Sequence, residues 1–243
     1  MVVISKEFII YVILSLVLGY AFGSIPVGYL VAKSKNVDIF NVGSKNPGST
    51  NVGRVLGKKY GNIVFVLDLV KTVIPILLSL IFANFLLKNG ILNIPENIGN
   101  VINSYTSILS LTYITYRNIL IVYTGSAAVI GHNFPFTTSF RGGKGITCTL
   151  AVIACFNIWF AILDYLFHFA IKKITKYVSL ASILALVVII IVSISFTALN
   201  IYPFNFEKAY IIVPPLVFIS LLGIIRHKDN IKRLIAGKEN KTL

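Results

Sequence analysis

The chain has 243 residues, of which 56% are hydrophobic and only 12% are charged, and its mean hydropathy is +0.86. A soluble domain of this length usually has about a quarter of its residues charged. So much apolar surface cannot be hidden in one small core, which excludes an ordinary soluble domain. The composition indicates an integral membrane protein.

The charge is strongly unbalanced, with 22 Lys and Arg against 8 Asp and Glu, a formal net charge of +14. The basic residues lie between apolar stretches, so no nucleic-acid partner is expected. Two explanations remain open for any single lysine. The loops could carry the positive charge that cytoplasmic loops of membrane proteins generally carry, or they could bind anionic head groups or phosphorylated substrates.

Several stretches have the roughly 20 apolar residues needed to cross the hydrocarbon core. The clear candidates are Phe8–Val31, Asn62–Leu87, Tyr105–Ile130, Val178–Leu199 and Tyr210–Ile225. The first is longer than the core of a signal peptide and is predicted to be a membrane helix. A further apolar stretch, Gly145–Ala170, would make six spans if it crossed once.

Charge asymmetry favours seven membrane segments over six. Basic clusters occupy residues 32–61, 172–176 and 226–241, whereas residues 88–104 are nearly neutral. With six spans the last two clusters would lie outside, against the positive-inside rule. A bent or two-helix hairpin in Gly145–Ala170, which has Asn157 near its middle and Asp164 after it, returns both to the cytoplasm. We therefore predict an all-α plasma-membrane protein with about seven transmembrane helices, one domain over residues 1–243, its N-terminus outside and its polar loops cytoplasmic.

The first polar loop, Gly43 to Arg54, reads GSKNPGSTNVGR. Its glycines can turn backbone N–H groups toward an anion, and its hydroxyls and amides add donors. Ser49 stands where a Walker A loop has lysine, which excludes a nucleotide P-loop. A plain surface turn is the alternative, because Asn-Pro-Gly is turn chemistry. The predicted site residues of this loop are Ser44, Asn46, Gly48, Thr50, Asn51 and Arg54.

The second polar loop, Gly131 to Gly145, reads GHNFPFTTSFRGGKG. Arg141 and Lys144 bracket Gly142 and Gly143 just before a predicted helix that follows Gly145. Cations on a glycine-rich turn at a helix N-terminus are a good phosphate site. These five residues are predicted to bind substrate.

The third polar segment, Arg226 to Asn240, reads RHKDNIKRLIAGKEN. His227 and Asn230 are three residues apart and share one helical face below the last span. An amphipathic cytoplasmic tail would look similar. Asp68 and Lys71, three apart inside the second span, are expected to pair or to face the bundle interior, because isolated charges there are costly.

Several common catalytic patterns are missing from the sequence. No His is followed by Asp at the spacing of the usual acyltransferase base, and no HExxH or G-x-S-x-G occurs. The histidines are far apart in sequence, so neither a metal nor a cofactor is expected.

The polar segments together resemble the bacterial acyl-phosphate-dependent glycerol-3-phosphate acyltransferases of the PlsY type. The matching motifs are GSIPVGYL at residues 23–30, the loops at 43–54 and 131–145, TKYVSL at 175–180 and the segment 226–239. Their order is the family's, and they extend over most of the chain. Phe40, Lys45 and Ser49 depart from the family pattern, which usually has Arg, Gly and Ala, and Arg141 replaces a lysine.

The resemblance implies transfer of a fatty acyl group from acyl phosphate to the sn-1 hydroxyl of glycerol 3-phosphate, giving lysophosphatidic acid and phosphate. Glycerol 3-phosphate, acyl phosphate and membrane lipids are the expected partners. Ser44, Arg54, His227 and Asn230 are the expected catalytic residues, and Gly142, Gly143 and Lys144 would cradle glycerol 3-phosphate. The proton acceptor is either His227 or a substrate phosphate, and we favour the second. A transporter of a phosphorylated solute and a lipid-binding scaffold are the alternatives.

Overall fold

A computed structural model describes residues 6–88, 108–206 and 208–241. The described residues form α-helices, two single-turn 3-10 helices and loops, without a β-strand. The α-helices are α1 (Lys6–Gly23), α2 (Val27–Lys33), α3 (Ser49–Leu56), α4 (Lys58–Lys88), α5 (Ile108–Asn133), α6 (Ile146–Phe156), α7 (Ile158–Thr175), α8 (Val178–Ala198), α9 (Val213–Arg226) and α10 (Lys228–Ile235). The predicted all-α class is confirmed.

Five helical segments of the described chain are long and apolar enough to cross a membrane. They are Lys6–Lys33, Lys58–Leu86, Ile114–Thr138, Val178–Ala198 and Ala209–Arg226. Each overlaps one of the five clear spans predicted from the sequence; the start of the third predicted span, residues 105–107, and the neutral connection 89–104 lie outside the described residues. Their outward faces are apolar, which suits contact with lipid.

The first predicted span is divided by a short non-helical corner. α1 ends at Gly23, and α2 begins at Val27 after Pro26, which has no backbone N–H to continue the helical ladder. Thr137 reaches this corner from the second polar loop and donates a hydrogen bond from Oγ1 to the Ser24 carbonyl (2.7 Å). The corner therefore fixes the second loop against the end of α1.

The stretch Gly145–Ala170 is two helices rather than one. α6 ends and α7 begins at Asn157, whose extended backbone interrupts the helix and whose side chain accepts a hydrogen bond from Phe160 N (2.8 Å). Asn157 Nδ2 also donates to Tyr202 Oη (2.6 Å), and the Phe156 ring lies 5.1 Å from that of Phe204. The break thus adjoins the connection between α8 and α9.

The other ends of α6 and α7 lie at the opposite end of the bundle. Gly143, just before α6, accepts a hydrogen bond from Arg226 at the end of α9. In the second half of α7, His168 contacts Ser182 in the second turn of α8 (3.3 Å). α6 and α7 therefore run in opposite directions, and the chain returns to the side from which α6 started.

This hairpin brings the second loop and the third polar segment to one end of the bundle. A single crossing between Gly145 and Ala170 does not describe the structure. α6 has 11 residues, a length of about 17 Å at 1.5 Å per residue, against a hydrocarbon core of about 30 Å. The count of seven complete crossings stays a prediction.

Candidate active site

The second loop holds its glycines tightly against the end of α5. Gly143 N donates to the His132 carbonyl (3.0 Å), and a Cβ on Gly143 would lie only 1.9 Å from His132 Nε2. Arg226 donates from Nη2 to the Gly142 carbonyl (2.8 Å) and from Nε to the Gly143 carbonyl (3.1 Å). The backbone of the loop is therefore fixed from both sides, and a side chain at residue 143 would not fit without movement.

Lys144 belongs to a network of hydrogen-bonded side chains that extends into α10 and the residues after it. Its Nζ donates a hydrogen bond to Oδ1 of the buried Asn230. Asn230 Nδ2 donates to Glu239 Oε1 (2.9 Å), and Arg233 Nε donates to Glu239 Oε2 (2.8 Å). Charge-assisted bonds of this kind are stronger than neutral ones. Two residues that are 86 positions apart in sequence thus form one site.

The charge around Lys144 is mainly positive. Burial and the nearby Arg233 lower the pKa of Lys144 to about 8, opposed by Glu239 and assisted by Arg54 and Arg226. Arg54, from the last turn of α3, also interacts electrostatically with Glu239 and Arg233, and burial lowers the pKa of its guanidinium. The site therefore carries more cations than its carboxylate can balance, which favours an anionic ligand.

His227 is buried at the junction of α9 and α10. Its Nδ1 lies 2.7 Å from the Gly223 carbonyl, so Nδ1 carries the proton and donates this bond. Burial and the Lys144 charge lower the pKa of His227 to about 4, although the hydrogen bond to Gly223 and the Glu239 carboxylate oppose the shift. The imidazole is therefore neutral at pH 7.

The first loop is held together largely by its own side chains. Asn51 Oδ1 accepts a hydrogen bond from Ser44 N (2.7 Å), and Asn51 Nδ2 donates to the Val42 carbonyl (3.2 Å). Gly48 N donates to Asn46 Oδ1 (2.9 Å), as in an Asx turn. Both amides that the sequence analysis assigned to substrate thus bond to the loop's own backbone. In this structure they shape the loop, and they leave Thr50 exposed and Arg54 only partly buried at its surface.

Three departures from the family pattern correspond to observable geometry. Lys45 has a φ of 56°, a left-handed conformation that glycine adopts without strain and lysine rarely does. The Arg141 guanidinium lies 4.4 Å from the centroid of the Phe40 ring, in cation–π geometry. Phe40, three residues before the first loop, therefore contacts the second loop through Arg141, and Arg141 is directed at Phe40 rather than at Asn230.

A buried ionic cluster lies beneath the glycines. Lys71 Nζ lies 2.9 Å from Asp68 Oδ1 and 3.0 Å from His132 Nδ1, and it donates to the Ile25 carbonyl (2.8 Å). The expected pairing of Asp68 with Lys71 is confirmed. Potential metal-ligand atoms of Asp68, His132 and Cys148 lie within 4.8 Å of one another, but the Lys71 ammonium already supplies the positive charge there.

The structure thus unites Lys144, Asn230 and His227, as the sequence analysis expected, and adds residues that it did not select. The added residues are Arg226, Arg233 and Glu239. They lie in the segment 226–239, which matches a family motif, but in the sequence they resemble the charges of an amphipathic tail. Only their contacts with the second loop and Asn230 distinguish them.

Comparison with known proteins identifies the family. The family model described as glycerol-3-phosphate acyltransferase matches residues 13–237. A glycerol-3-phosphate acyltransferase of Aquifex aeolicus is 35% identical over 93% of this chain and 96% of its own length. One from Thermosipho melanesiensis is 32% identical over 95% of this chain and 92% of its own length.

Solved structures agree with this assignment. A crystal structure of PlsY, an integral membrane glycerol 3-phosphate acyltransferase, in its glycerol 3-phosphate form has a TM-score of 0.71, 31% identity and 96% coverage of both chains. A second PlsY structure, in its lysophosphatidic acid form, has a TM-score of 0.69 and 32% identity, covering 96% of this chain and 95% of its own. None of these matches supports the transporter alternative. The chain belongs to the glycerol-3-phosphate acyltransferase family and is a multi-pass membrane acyltransferase.

Proposed function

We propose that this protein transfers a fatty acyl group from acyl phosphate to the sn-1 hydroxyl of glycerol 3-phosphate. The hydroxyl oxygen attacks the acyl carbon, and the bond from that carbon to the phosphate oxygen breaks. The products are lysophosphatidic acid and inorganic phosphate, and the proton of the hydroxyl passes to a substrate phosphate oxygen. The observation that carries the proposal is the connected Lys144–Asn230–Glu239 site, set among excess cations at one end of a membrane bundle.

Lys144 is proposed to bind the phosphate of glycerol 3-phosphate together with the backbone of Gly142 and Gly143. Its partly desolvated ammonium can form charge-assisted bonds that are stronger than those in water. Asn230, which already contacts Lys144, would orient the attacking hydroxyl. Positioning of this kind lowers the barrier because the reacting groups are held in place before the reaction.

The first loop is proposed to bind the phosphate of the acyl donor. Ser44 and Thr50 offer hydroxyls, and Arg54 offers a guanidinium that already interacts with Lys144 and Glu239. An acyl phosphate carries its own leaving group, so no covalent nucleophile is needed. What remains is stabilisation of the charge that develops on the tetrahedral intermediate, which preorganised donors supply.

A substrate phosphate oxygen is the proposed proton acceptor. His227 is a weak base because its pKa is lowered to about 4, far below that of a general base matched to neutral pH. A phosphate monoester has a second pKa of about 6, so its dianion is the better acceptor. His227, whose Nδ1 is bonded to Gly223, would then orient and stabilise groups in the site.

Replacing His227 with Gln should lower kcat but should not change the pH at which the rate falls on the acidic side. The wild-type rate should fall below about pH 6 as the substrate phosphate gains a proton, and the variant should show the same midpoint. The measurement is kcat/KM against pH for both proteins. An acid limb near the ordinary histidine pKa of about 6.5 that disappears in the variant would identify His227 as the base and contradict substrate assistance.

The decline of kcat/KM at alkaline pH should reflect the deprotonation of Lys144. Since its pKa is about 8 in the free protein, Lys144 is charged below that pH and neutral above it. The kcat/KM for glycerol 3-phosphate should therefore decline above about pH 8, because kcat/KM reports ionisations of the free enzyme. In Lys144→Arg this limb should move to higher pH, since arginine stays protonated. An unchanged limb in that variant would assign it to another group.

The direct test of the reaction uses purified protein and labelled glycerol 3-phosphate, with acyl phosphate or acyl-CoA as donor. We expect lysophosphatidic acid with acyl phosphate alone. Product with acyl-CoA alone would overturn the proposed donor, and no product with either would overturn the proposed reaction.

We further propose that residues 1–243 form one domain in the plasma membrane, with the N-terminus outside and the site at the cytoplasmic face. The clustering of basic loops at one end of the bundle supports this orientation. A Lys241→Cys variant should react with a membrane-impermeant maleimide in inverted vesicles and not in intact cells. The reverse pattern would overturn the orientation.

A further inference from the structure

Two aromatic rings lie stacked between two cations beside the first and second loops. The ring centroids of Tyr29 and Phe40 are 5.7 Å apart, and the ring planes differ by 25°. Lys33 Nζ lies 5.7 Å from the Tyr29 centroid, and the Arg141 guanidinium lies 4.4 Å from the Phe40 centroid. Both cations are close enough to a ring face for a cation–π interaction. These four side chains are called the aromatic stack below.

The position of Phe40 is fixed by the fold around it. Its side chain is 8% exposed and belongs to a buried apolar cluster that includes Ile39, Val52 of α3 and Val64 of α4. The backbone is held as well, because Phe40 N donates a hydrogen bond to Asp38 Oδ1 (3.0 Å) in an Asx turn. The ring is therefore a rigid point against which a side chain of the second loop can rest.

The backbone that carries Phe40 continues directly into the first loop. The carbonyl of Val42, two residues later, accepts hydrogen bonds from Lys45 N (3.0 Å) and from Asn51 Nδ2 (3.2 Å). Asn51 in turn accepts the hydrogen bond from Ser44 N (2.7 Å). The first loop is thus tied to the short segment that starts at the ring.

Arg141 connects the aromatic stack to the glycines of the second loop. Its backbone N donates to the Thr138 carbonyl (3.0 Å), and Thr138 Oγ1 donates to the Arg141 carbonyl (2.9 Å). Gly142 and Lys144 follow within three residues. Among the described residues no acidic side chain forms an ion pair with Arg141. The guanidinium is therefore oriented by the Phe40 ring and not by a carboxylate.

We propose that the aromatic stack holds the first and second loops at the separation that acyl transfer requires, with Phe40 and Arg141 as positioning residues. The inference rests on the proposed function, in which the first loop binds the phosphate of the acyl donor and the second binds glycerol 3-phosphate. The hydroxyl and the acyl carbon then meet only when the two loops keep their separation. Arg141, which the sequence analysis assigned to substrate binding, acts through Phe40 instead.

Loss of the aromatic stack should lower kcat more than it changes either KM. Each loop keeps its own bonds, because Asn51 still holds the first loop and Arg226 still holds the carbonyls of the second. Each substrate should therefore still bind, but the reacting groups would be displaced relative to each other. Since a displacement of about 1 Å can lower a rate by about a hundredfold, we expect Phe40→Leu to lower kcat by about tenfold. Each KM should stay within about threefold of the wild-type value, because ground-state binding is retained.

The test is a double-mutant cycle of Phe40→Leu and Arg141→Ala, measured with saturating acyl phosphate and saturating glycerol 3-phosphate. Leu keeps an apolar side chain in the buried cluster but removes the ring face. Each single variant should lower kcat by about tenfold, and the double variant should fall no more than about twofold further, because both changes remove the same contact. Two independent roles would multiply to a loss of about a hundredfold, which would overturn the inference.

Conservative variants separate positioning from general damage to the fold. Phe40→Tyr keeps a ring face and should retain kcat within about twofold of the wild type. Arg141→Lys keeps a cation but loses the planar guanidinium, so its kcat should lie between those of the wild type and Arg141→Ala. Equal losses in Phe40→Tyr and Phe40→Leu, with both proteins folded by thermal unfolding in detergent, would contradict the role of the ring face.

Arg141→Ala tests the inference even if a Phe40 variant does not fold, because Arg141 is exposed. A higher KM for glycerol 3-phosphate or for acyl phosphate with kcat unchanged would assign Arg141 to substrate binding and overturn the positioning role. A lower kcat with both KM values retained is the expected result.

Failure of this inference and failure of the proposed function give different results. If wild-type protein forms lysophosphatidic acid but the losses in the double-mutant cycle multiply, only the inference is wrong. If wild-type protein forms no product with any acyl phosphate, the proposed function is wrong, and the role of the aromatic stack in it falls as well.

Discussion

Lys144→Gln should lower kcat/KM for glycerol 3-phosphate by about a hundredfold to a thousandfold. Removal of one preorganised donor from a site that stabilises negative charge has an effect of this size. Here the donor is also a cation, and the loss leaves Asn230 Oδ1 without the partner that it has in the structure. A large part of the effect should appear in KM, because the ammonium binds phosphate in the ground state as well as in the transition state.

The matched control is Lys232→Gln. Lys232 is an exposed cation on α10, and its replacement makes the same change in formal charge at the protein surface. Its kcat/KM should stay close to that of the wild type. Similar losses in both variants would mean that overall positive charge, rather than the position of Lys144, attracts the substrate.

Asp68→Asn should destabilise the folded protein by about 3–5 kcal/mol. Asp68 and Lys71 are 2% and 5% exposed, and their Oδ1 and Nζ atoms are 2.9 Å apart. Removal of one partner leaves the other charge buried without compensation, which typically costs about this much. Because Lys71 also contacts His132, which accepts the hydrogen bond from Gly143, the substitution should raise KM for glycerol 3-phosphate as well.

The control for this effect is the double variant Asp68→Asn with Lys71→Met. It removes the uncompensated charge and should recover most of the stability that the single variant loses. Thermal unfolding in detergent, followed for all three proteins under one condition, measures the difference. A double variant no more stable than Asp68→Asn, or a single variant as stable as the wild type, would contradict the assignment of a buried ion pair.

Some parts of the site could be predicted from sequence because they depend on local chemistry. Glycines beside Lys144 indicate a close approach of the backbone to an anion, and the structure places Gly143 against His132. The pairing of Asp68 with Lys71 followed from the cost of isolated charges in a membrane. The hairpin followed from the distribution of lysines, and Asn157 was the correct break because its side chain can cap a new helix.

Other parts could not be predicted because they depend on contacts between distant segments. Glu239 is one charge of a basic tail in the sequence, yet in the structure it bonds to Asn230 and Arg233. Asn51 has an amide that could donate hydrogen bonds to a phosphate, but in the structure this amide bonds to the backbone of Ser44 and Val42. A side chain's partners depend on what the fold places beside it, and residue type alone does not decide this.

The membrane setting, the helical class and the family could be predicted from the sequence, because apolar length, charge distribution and the order of the motifs are properties of the chain. Which polar groups lie together at the candidate site depends on the packing of distant segments. α6 and α7 had to reverse direction at Asn157 before Lys144 and Asn230 could meet.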